Sequence, residues 1–75
     1  VYPNPAKDFL NIKIHKEITP GMEMRIMDMT GKLILTKSII SDSQQIDVSG
    51  LSSGVYFVHF LKDNITFASA RFIVS

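Results

Sequence analysis

Val55-Tyr56-Phe57-Val58-His59-Phe60-Leu61 is an almost unbroken run of β-branched and aromatic residues. Residues of these types favour strands, and a run that is apolar on both faces is typical of a strand covered on both sides. Residues 52–54 before it and residues 62–64 after it are of the types that form turns. The pattern predicts a central β-strand bounded by two turns.

Further strands are predicted on both sides of this run, at residues 10–14, 22–27, 33–40, 45–48 and 65–74. In most of them apolar residues recur at every second position, which is the period of a half-buried strand. The side chains predicted to face inward are Leu10, Ile12, Ile14, Met22, Met24, Ile26, Ile46, Val48, Ala68, Ala70, Phe72 and Val74. Frequent turns without a helical period predict an all-β fold, a small antiparallel immunoglobulin-like sandwich of about six or seven short strands.

The segment Asp28-Met29-Thr30-Gly31-Lys32 predicts a tight hairpin between the second and third strands. Aspartate at the start of a turn can accept backbone hydrogen bonds, and glycine at its end can adopt a positive φ.

Length and composition limit what such a fold can do. The 75 residues suffice for one small domain, and they contain no cysteine for a disulfide or thiolate site. Eight Lys and Arg against seven Asp and Glu are scattered without a basic stripe, so no nucleic-acid partner is predicted. No apolar run is long enough for a transmembrane segment. Because the chain begins with Val1 and shows no signal peptide, residues 1–75 are expected to be one domain of a longer protein.

Residues 50–54 formally match the nucleophile motif G-x-S-x-G. That motif needs a following helix and a surrounding α/β sheet, whereas a strand follows here, so Ser52 and Ser53 are interpreted as turn residues. Gly31-Lys32 lacks the rest of a phosphate-binding loop. No catalytic residue and no cofactor is predicted.

His15 and His59 lack metal-ligand spacing, and the aspartates belong to separate turns, so no metal site is predicted. His15 is placed on a polar strand face, and His59 is interpreted as a partly buried structural residue. The methionines at positions 22, 24, 27 and 29 are interpreted as core residues, with an adaptable docking surface as the alternative.

Several short motifs, taken in order, resemble a known family. The chain opens with Tyr2-Pro3-Asn4-Pro5-Ala6, whose prolines favour an extended entry into the fold. The matching positions that follow are Asp8, Leu10, Ile12, Met24, Ile26, Asp28, Gly31, Lys32, Ile46, Val48, Leu51, Gly54, Val55, Tyr56, Phe57, Val58, Arg71, Phe72, Ile73 and Val74. This order resembles the type A C-terminal sorting domain of the type IX (Por) secretion system. Ser52 stands where that family often has proline, and Arg71 where it often has lysine.

The resemblance implies a non-catalytic signal in a Gram-negative bacterium. It implies a covalently linked upstream passenger that passes through the periplasm to the cell surface or the medium. The implied partners are the type IX outer-membrane translocon and a sortase-like cysteine peptidase that cuts upstream and can attach the passenger to anionic lipopolysaccharide. The translocon is expected to recognise the last strands, by surface docking or by strand addition, through Val55, Tyr56, Phe57, Val58, Arg71, Phe72, Ile73 and Val74.

An accessory module that binds carbohydrate or protein, within a secreted hydrolase or adhesin, is the alternative. Sugar-binding faces favour exposed aromatic rings, but the chain has no Trp. Tyr56, Phe57 and Phe60 are predicted to be buried, which leaves Tyr2 as the clearest exposed ring. A structural spacer between catalytic domains is a third interpretation.

Overall fold

The computed structural model describes residues 7–75, which form strands and turns without a helix. The strands are β1 (Phe9–Lys13), β2 (Met22–Asp28), β3 (Leu33–Ser38), β4 (Ser43–Asp47), β5 (Gly54–Lys62) and β6 (Ile65–Val74). Accordingly, the described residues contain no helix that could cross a membrane. The all-β prediction is confirmed, while the predicted entry segment Tyr2-Pro3-Asn4-Pro5 lies outside the described residues.

The strands form two antiparallel sheets. β1 pairs with β4, and the larger sheet has the order β3-β2-β5-β6. The central position predicted for β5 is confirmed, because β5 pairs with β2 on one side and with β6 on the other.

The third strand is shorter than predicted, because the chain leaves the sheet after Ser38. The Gln44 side chain explains how it can do so. Gln44 Oε1 accepts hydrogen bonds from the backbone N–H groups of Ile40 (2.8 Å) and Ser41 (3.2 Å). Their donors are therefore satisfied by a side chain instead of a neighbouring strand.

The core lies between the inner faces of the two sheets. Side chains from the smaller sheet meet side chains from the larger one in a single buried cluster. Its most completely buried members are Leu10, Ile12, Ile46, Val48, Met24, Ile26, Val58 and Phe72. The sandwich prediction is therefore confirmed, and the predicted inward positions are buried except on β6, where Ala68 is exposed and Ala70 is half-buried.

The prediction that β5 is covered on both faces is wrong. Burial alternates from Tyr56 to Phe60, with Phe57 38% exposed, and only at the end of the strand are two consecutive residues, Phe60 and Leu61, both buried. Within residues 7–75 the two-stranded sheet packs against only one face of the larger sheet, and apolar residues such as Phe57 and Ile73 on the other face are exposed. The prediction that all four methionines are core residues also fails at Met27, which is half-buried outside the core cluster, and at Met29, which is 71% exposed in the β2–β3 turn.

The hairpin between β5 and β6 has a two-residue loop, Asp63 and Asn64, and both residues have positive φ (50° and 68°). These values correspond to a type I′ turn, whose twist matches that of the flanking strands. The turn is held from outside as well, since the Asp63 N–H donates to the Gly21 carbonyl at 3.1 Å. The loop before β2 is thus tied to the β5–β6 hairpin.

Candidate recognition surface

The residues predicted to meet the translocon lie on β5 and β6, which are adjacent and antiparallel. Val55 faces Ile73, Tyr56 faces Phe72, and Phe57 faces Arg71. Because side chains alternate between the two faces of a strand, this register divides the predicted residues into an inward set and an outward set.

The inward set contains Tyr56, Val58, Phe72 and Val74, and each of these is at most 7% exposed. The Tyr56 and Phe72 rings stack with centroids 5.6 Å apart. The Tyr56 hydroxyl donates a 2.7 Å hydrogen bond to the Ser52 carbonyl. A tyrosine that bonds back to the chain just before its own strand is a known stabilising feature of immunoglobulin-like sandwiches. A partner that docks on the folded domain cannot reach these side chains.

The outward set contains Val55, Phe57, Arg71 and Ile73, which we call the outer C-terminal face. Phe57 is 38% exposed and Ile73 is 39% exposed, Arg71 is exposed and Val55 is half-buried. The face is therefore an apolar surface with one cation. It can bind a partner surface that supplies apolar groups and a carboxylate.

The apolar surface continues beyond the predicted residues, across the neighbouring strands. Met27 on β2 lies opposite Phe57, and Leu33 on β3 lies opposite Met27 and is 51% exposed. The sequence interpretation did not assign these residues to the surface. The tight hairpin at Asp28 to Gly31 was the available signal, because it places the ends of β2 and β3 side by side.

The motif residues Asp28, Gly31 and Lys32 form that hairpin turn. The Gly31 N–H donates to the Asp28 carbonyl, and Gly31 has a φ of +86°. Asp28 Oδ1 accepts hydrogen bonds from the Thr30 hydroxyl (2.6 Å), the Thr30 N–H (2.8 Å) and the Lys32 N–H (3.0 Å). The Thr30 hydroxyl is the main cause that lowers the pKa of Asp28, and the two N–H groups lower it further. The predicted roles of Asp28 and Gly31 in the turn are confirmed.

The residues of the formal nucleophile motif form the connection between β4 and β5. The Leu51 N–H donates to the Val48 carbonyl at 3.0 Å, and the Leu51 side chain packs against the core. Ser52 and Ser53 are exposed, and Gly54 begins β5 opposite Val74. A strand therefore follows the serines, which confirms their interpretation as turn residues.

Asp47 sits just before this connection, where Ser49 donates to Asp47 Oδ1 from both its hydroxyl (2.6 Å) and its N–H (2.9 Å). The hydrogen bond from the hydroxyl contributes most to the lowered pKa of Asp47. Asp47 therefore has the same turn-stabilising role as Asp28.

The aromatic side chains bear on the carbohydrate alternative. The prediction that Phe57 is buried is wrong, and Phe9 is 50% exposed. These two rings belong to different sheets, so they do not form one flat platform for a sugar. Tyr56 and Phe60 are buried as predicted, and Tyr2 is outside the described residues.

Comparison with known proteins adds evidence that the geometry cannot supply. A family model described as secretion system C-terminal sorting domain matches residues 1–75. Beta-agarase A of Zobellia galactanivorans is 34% identical over 61 residues, covering 79% of this chain and 11% of the agarase. Beta-agarase D of the same organism is 33% identical over 75 residues, covering 100% of this chain and 14% of the agarase. The chain thus spans a small fraction of these relatives. No solved structure gives a significant match.

Proposed function

The chain belongs to the secretion system C-terminal sorting domain family, and from this we propose that it is a type A domain of the type IX system that the outer-membrane translocon reads in its folded state. A sorting domain of this family is a non-catalytic signal for secretion. The proposal adds the subtype, the partner and the surface that the partner contacts.

The split between inward and outward side chains on β5 and β6 carries the proposal. Tyr56 and Phe72 fill the core, whereas Phe57 and Arg71 form an accessible pair on the opposite face. Uncovered apolar side chains around a single cation are typical of a surface that a partner covers. We therefore assign translocon recognition to the outer C-terminal face, and we assign the inward residues to maintaining its shape.

The passenger and its route are part of the same proposal. The matched regions make up 11% and 14% of the two agarases, which supports a domain that is carried by a much larger protein. In this proposal the passenger lies upstream and crosses the periplasm of a Gram-negative bacterium. A sortase-like cysteine peptidase then cuts upstream of the domain, which leaves the passenger at the surface or in the medium.

Point substitutions test this better than deleting residues 71–75, because that deletion also removes the buried Phe72 and Val74. The test fuses the 75 residues behind a Sec-exported fluorescent reporter, in a type IX-competent host and in a translocon-null strain. Arg71→Glu and Phe57→Thr should leave the reporter in the periplasm, while Arg71→Lys, which keeps the charge, should still be exported. Lys37→Glu is the matched control, because Lys37 is an exposed cation on β3 at the opposite edge of the sheet.

Surface or medium localisation that requires the translocon, and that is lost in the two outer-face variants, supports the proposal. Normal export of Arg71→Glu and Phe57→Thr would refute recognition through this face. Periplasmic retention of the unsubstituted fusion in both hosts, with the domain folded, would refute the sorting function and favour an accessory binding module.

A further inference from the structure

A second accessible feature lies away from the outer C-terminal face, where the smaller sheet ends and leaves part of the inner face of β5 and β6 uncovered. It is a groove with a volume of about 460 Å³, which is within the range of protein ligand sites. One wall is the segment after β1, and the other wall and the floor come from β5 and β6. The lining residues are Lys13, Ile14, His15, Lys16, Phe60, Phe67 and Ala68.

The floor of the groove is apolar and has a defined shape. The register between β5 and β6 shifts after Phe60, so that Phe60 faces Ala68 and Leu61 faces Thr66. Phe67 is therefore the extra residue of a β-bulge, a feature that redirects side chains. The rings of Phe60 and Phe67 lie 6.3 Å apart, tilted by 36°.

The wall of the groove is basic. Lys13, His15 and Lys16 are all exposed, and Lys16 Nζ lies 5.3 Å from the centre of the Phe67 ring. Neither Lys13 nor Lys16 forms an ion pair with a carboxylate among residues 7–75, where the ion pair joins Arg25 and Glu23. No acidic residue of the described chain lines the groove. Its charge is therefore complementary to an anion.

The wall is also fixed at both ends. The Ile14 N–H donates to the Asp42 carbonyl at 2.8 Å, and the Ile14 side chain is buried. Further along the segment, Lys62 Nζ donates to the Thr19 hydroxyl at 2.5 Å. A binding site whose walls are already in place loses less entropy when a ligand binds.

The adjacent strand edge indicates what kind of ligand fits. Within the described part of the chain β6 has one neighbouring strand, β5, and no loop pairs with the backbone of β6 between Ile65 and Ala70. An extended peptide can pair with such an edge and direct alternate side chains to one face of the sheet. Neither a lipid headgroup nor a small anion would use the backbone edge.

We propose that this groove binds an extended acidic segment of a partner protein, which adds a strand to β6 at residues 65–70. An apolar side chain of the segment lies over Phe60 and Phe67. A carboxylate two residues away, on the same face of the added strand, meets Lys13 and Lys16. This site is separate from the outer C-terminal face and does not depend on the proposed role of that face.

The probe is the blocked peptide Thr-Leu-Thr-Glu-Thr-Leu-Thr, titrated into the ¹⁵N-labelled 75-residue chain and followed by amide chemical shifts. Shifts are expected at His15, Lys16, Phe60 and residues 65–70, and not at Phe57 or Arg71. Replacing the glutamate by glutamine, or methylating the backbone nitrogens that pair with β6, should greatly weaken binding.

Lys16→Glu turns an attraction into a repulsion and should weaken binding about tenfold, given the usual strength of exposed ion pairs. Lys37→Glu, on the opposite edge of the sheet, should bind the peptide as the unsubstituted chain does. The dispersion of the same spectra reports whether each variant is folded.

Equal binding of the glutamate and glutamine peptides would overturn the acidic specificity, and equal binding of the methylated peptide would overturn strand addition. If the folded chain does not bind the peptide but binds vesicles of anionic phospholipid through the groove residues, the groove is a lipid site and the proposal is wrong. Because these readouts are binding and not export, failure here leaves the sorting experiment unaffected.

Discussion

Replacing Tyr56 by phenylalanine removes one hydroxyl group from the core and leaves the ring stacked on Phe72. The hydroxyl donates to the Ser52 carbonyl at 2.7 Å. The net contribution of such a hydrogen bond is about 0.5–1.5 kcal/mol. Ser52 is exposed, so its carbonyl can regain a hydrogen bond from water in the variant. We therefore expect Tyr56→Phe to lower the free energy of unfolding by about 1 kcal/mol.

In a domain of this size, 1 kcal/mol corresponds to a fall in Tm of about 4–8 °C. With an m-value of about 1 kcal/mol/M, it also lowers the urea midpoint by about 1 M. Ser52→Ala is the matched control, because the acceptor is the backbone carbonyl, and it should stay within about 0.5 kcal/mol of the original chain. A Tyr56→Phe midpoint equal to that of the original chain would refute the stabilising role of the hydroxyl. Loss of export at full stability would contradict the assignment of Tyr56 to a structural role.

Gly31→Ala should destabilise the domain by about 1 kcal/mol in urea unfolding, because Gly31 has a φ of +86° that L side chains rarely adopt; an added Cβ would meet nothing within 4 Å, so the loss comes from the backbone conformation alone. Gly50→Ala is the control, because Gly50 is equally open but has no positive φ, and it should cost much less. Equal losses for the two variants would contradict this reasoning. Stability should also decline as the pH falls below the ordinary aspartate value of 3.8, because hydrogen bonds lower the pKa values of Asp28 and Asp47 in the folded state. A group with a depressed folded pKa stabilises the fold above its unfolded pKa and loses that contribution as pH falls through the folded value. In Asp28→Ala the fall of Tm with decreasing pH should therefore be less steep than in the original chain. An equally steep fall would show that other groups cause the loss of stability in acid.

Much of the fold could be predicted from the sequence because its strands are short, alternating and punctuated by turns. The inward positions Leu10, Ile12 and Ile46 follow from alternation alone, and each is at most 2% exposed. The bulges could not be predicted in this way. At Phe67 the register with β5 shifts by one residue, and this shift depends on the partner strand, whereas alternation depends on one strand only. The groove floor was missed for that reason.

The sequence placed the proposed recognition residues on β5 and β6, but it did not divide them between the two faces of the sheet. The run around Val58 is apolar at every position but His59, so composition gave no means of telling which side was covered. The answer depended on the width of the opposing sheet, which among residues 7–75 has two strands against the four of the larger sheet. The width of the smaller sheet depends on the long-range pairing of β1 with β4, which the alternation of residues within one strand does not determine.

The distinction between faces decides how any loss of export must be interpreted. Typical stabilities per residue give a 75-residue domain a total of about 4–11 kcal/mol, and truncating a buried aromatic such as Phe72 costs about 3–5 kcal/mol. If the total lies near the lower end of this range, such a substitution unfolds a considerable fraction of the domain, and export then fails whether or not the partner touches the substituted side chain. Only outward positions such as Arg71 can change recognition while stability stays constant. If outward variants are exported normally while inward variants lose export in proportion to their lost stability, the translocon recognises the folded state of the domain. In that case the exposed side chains do not contribute to recognition.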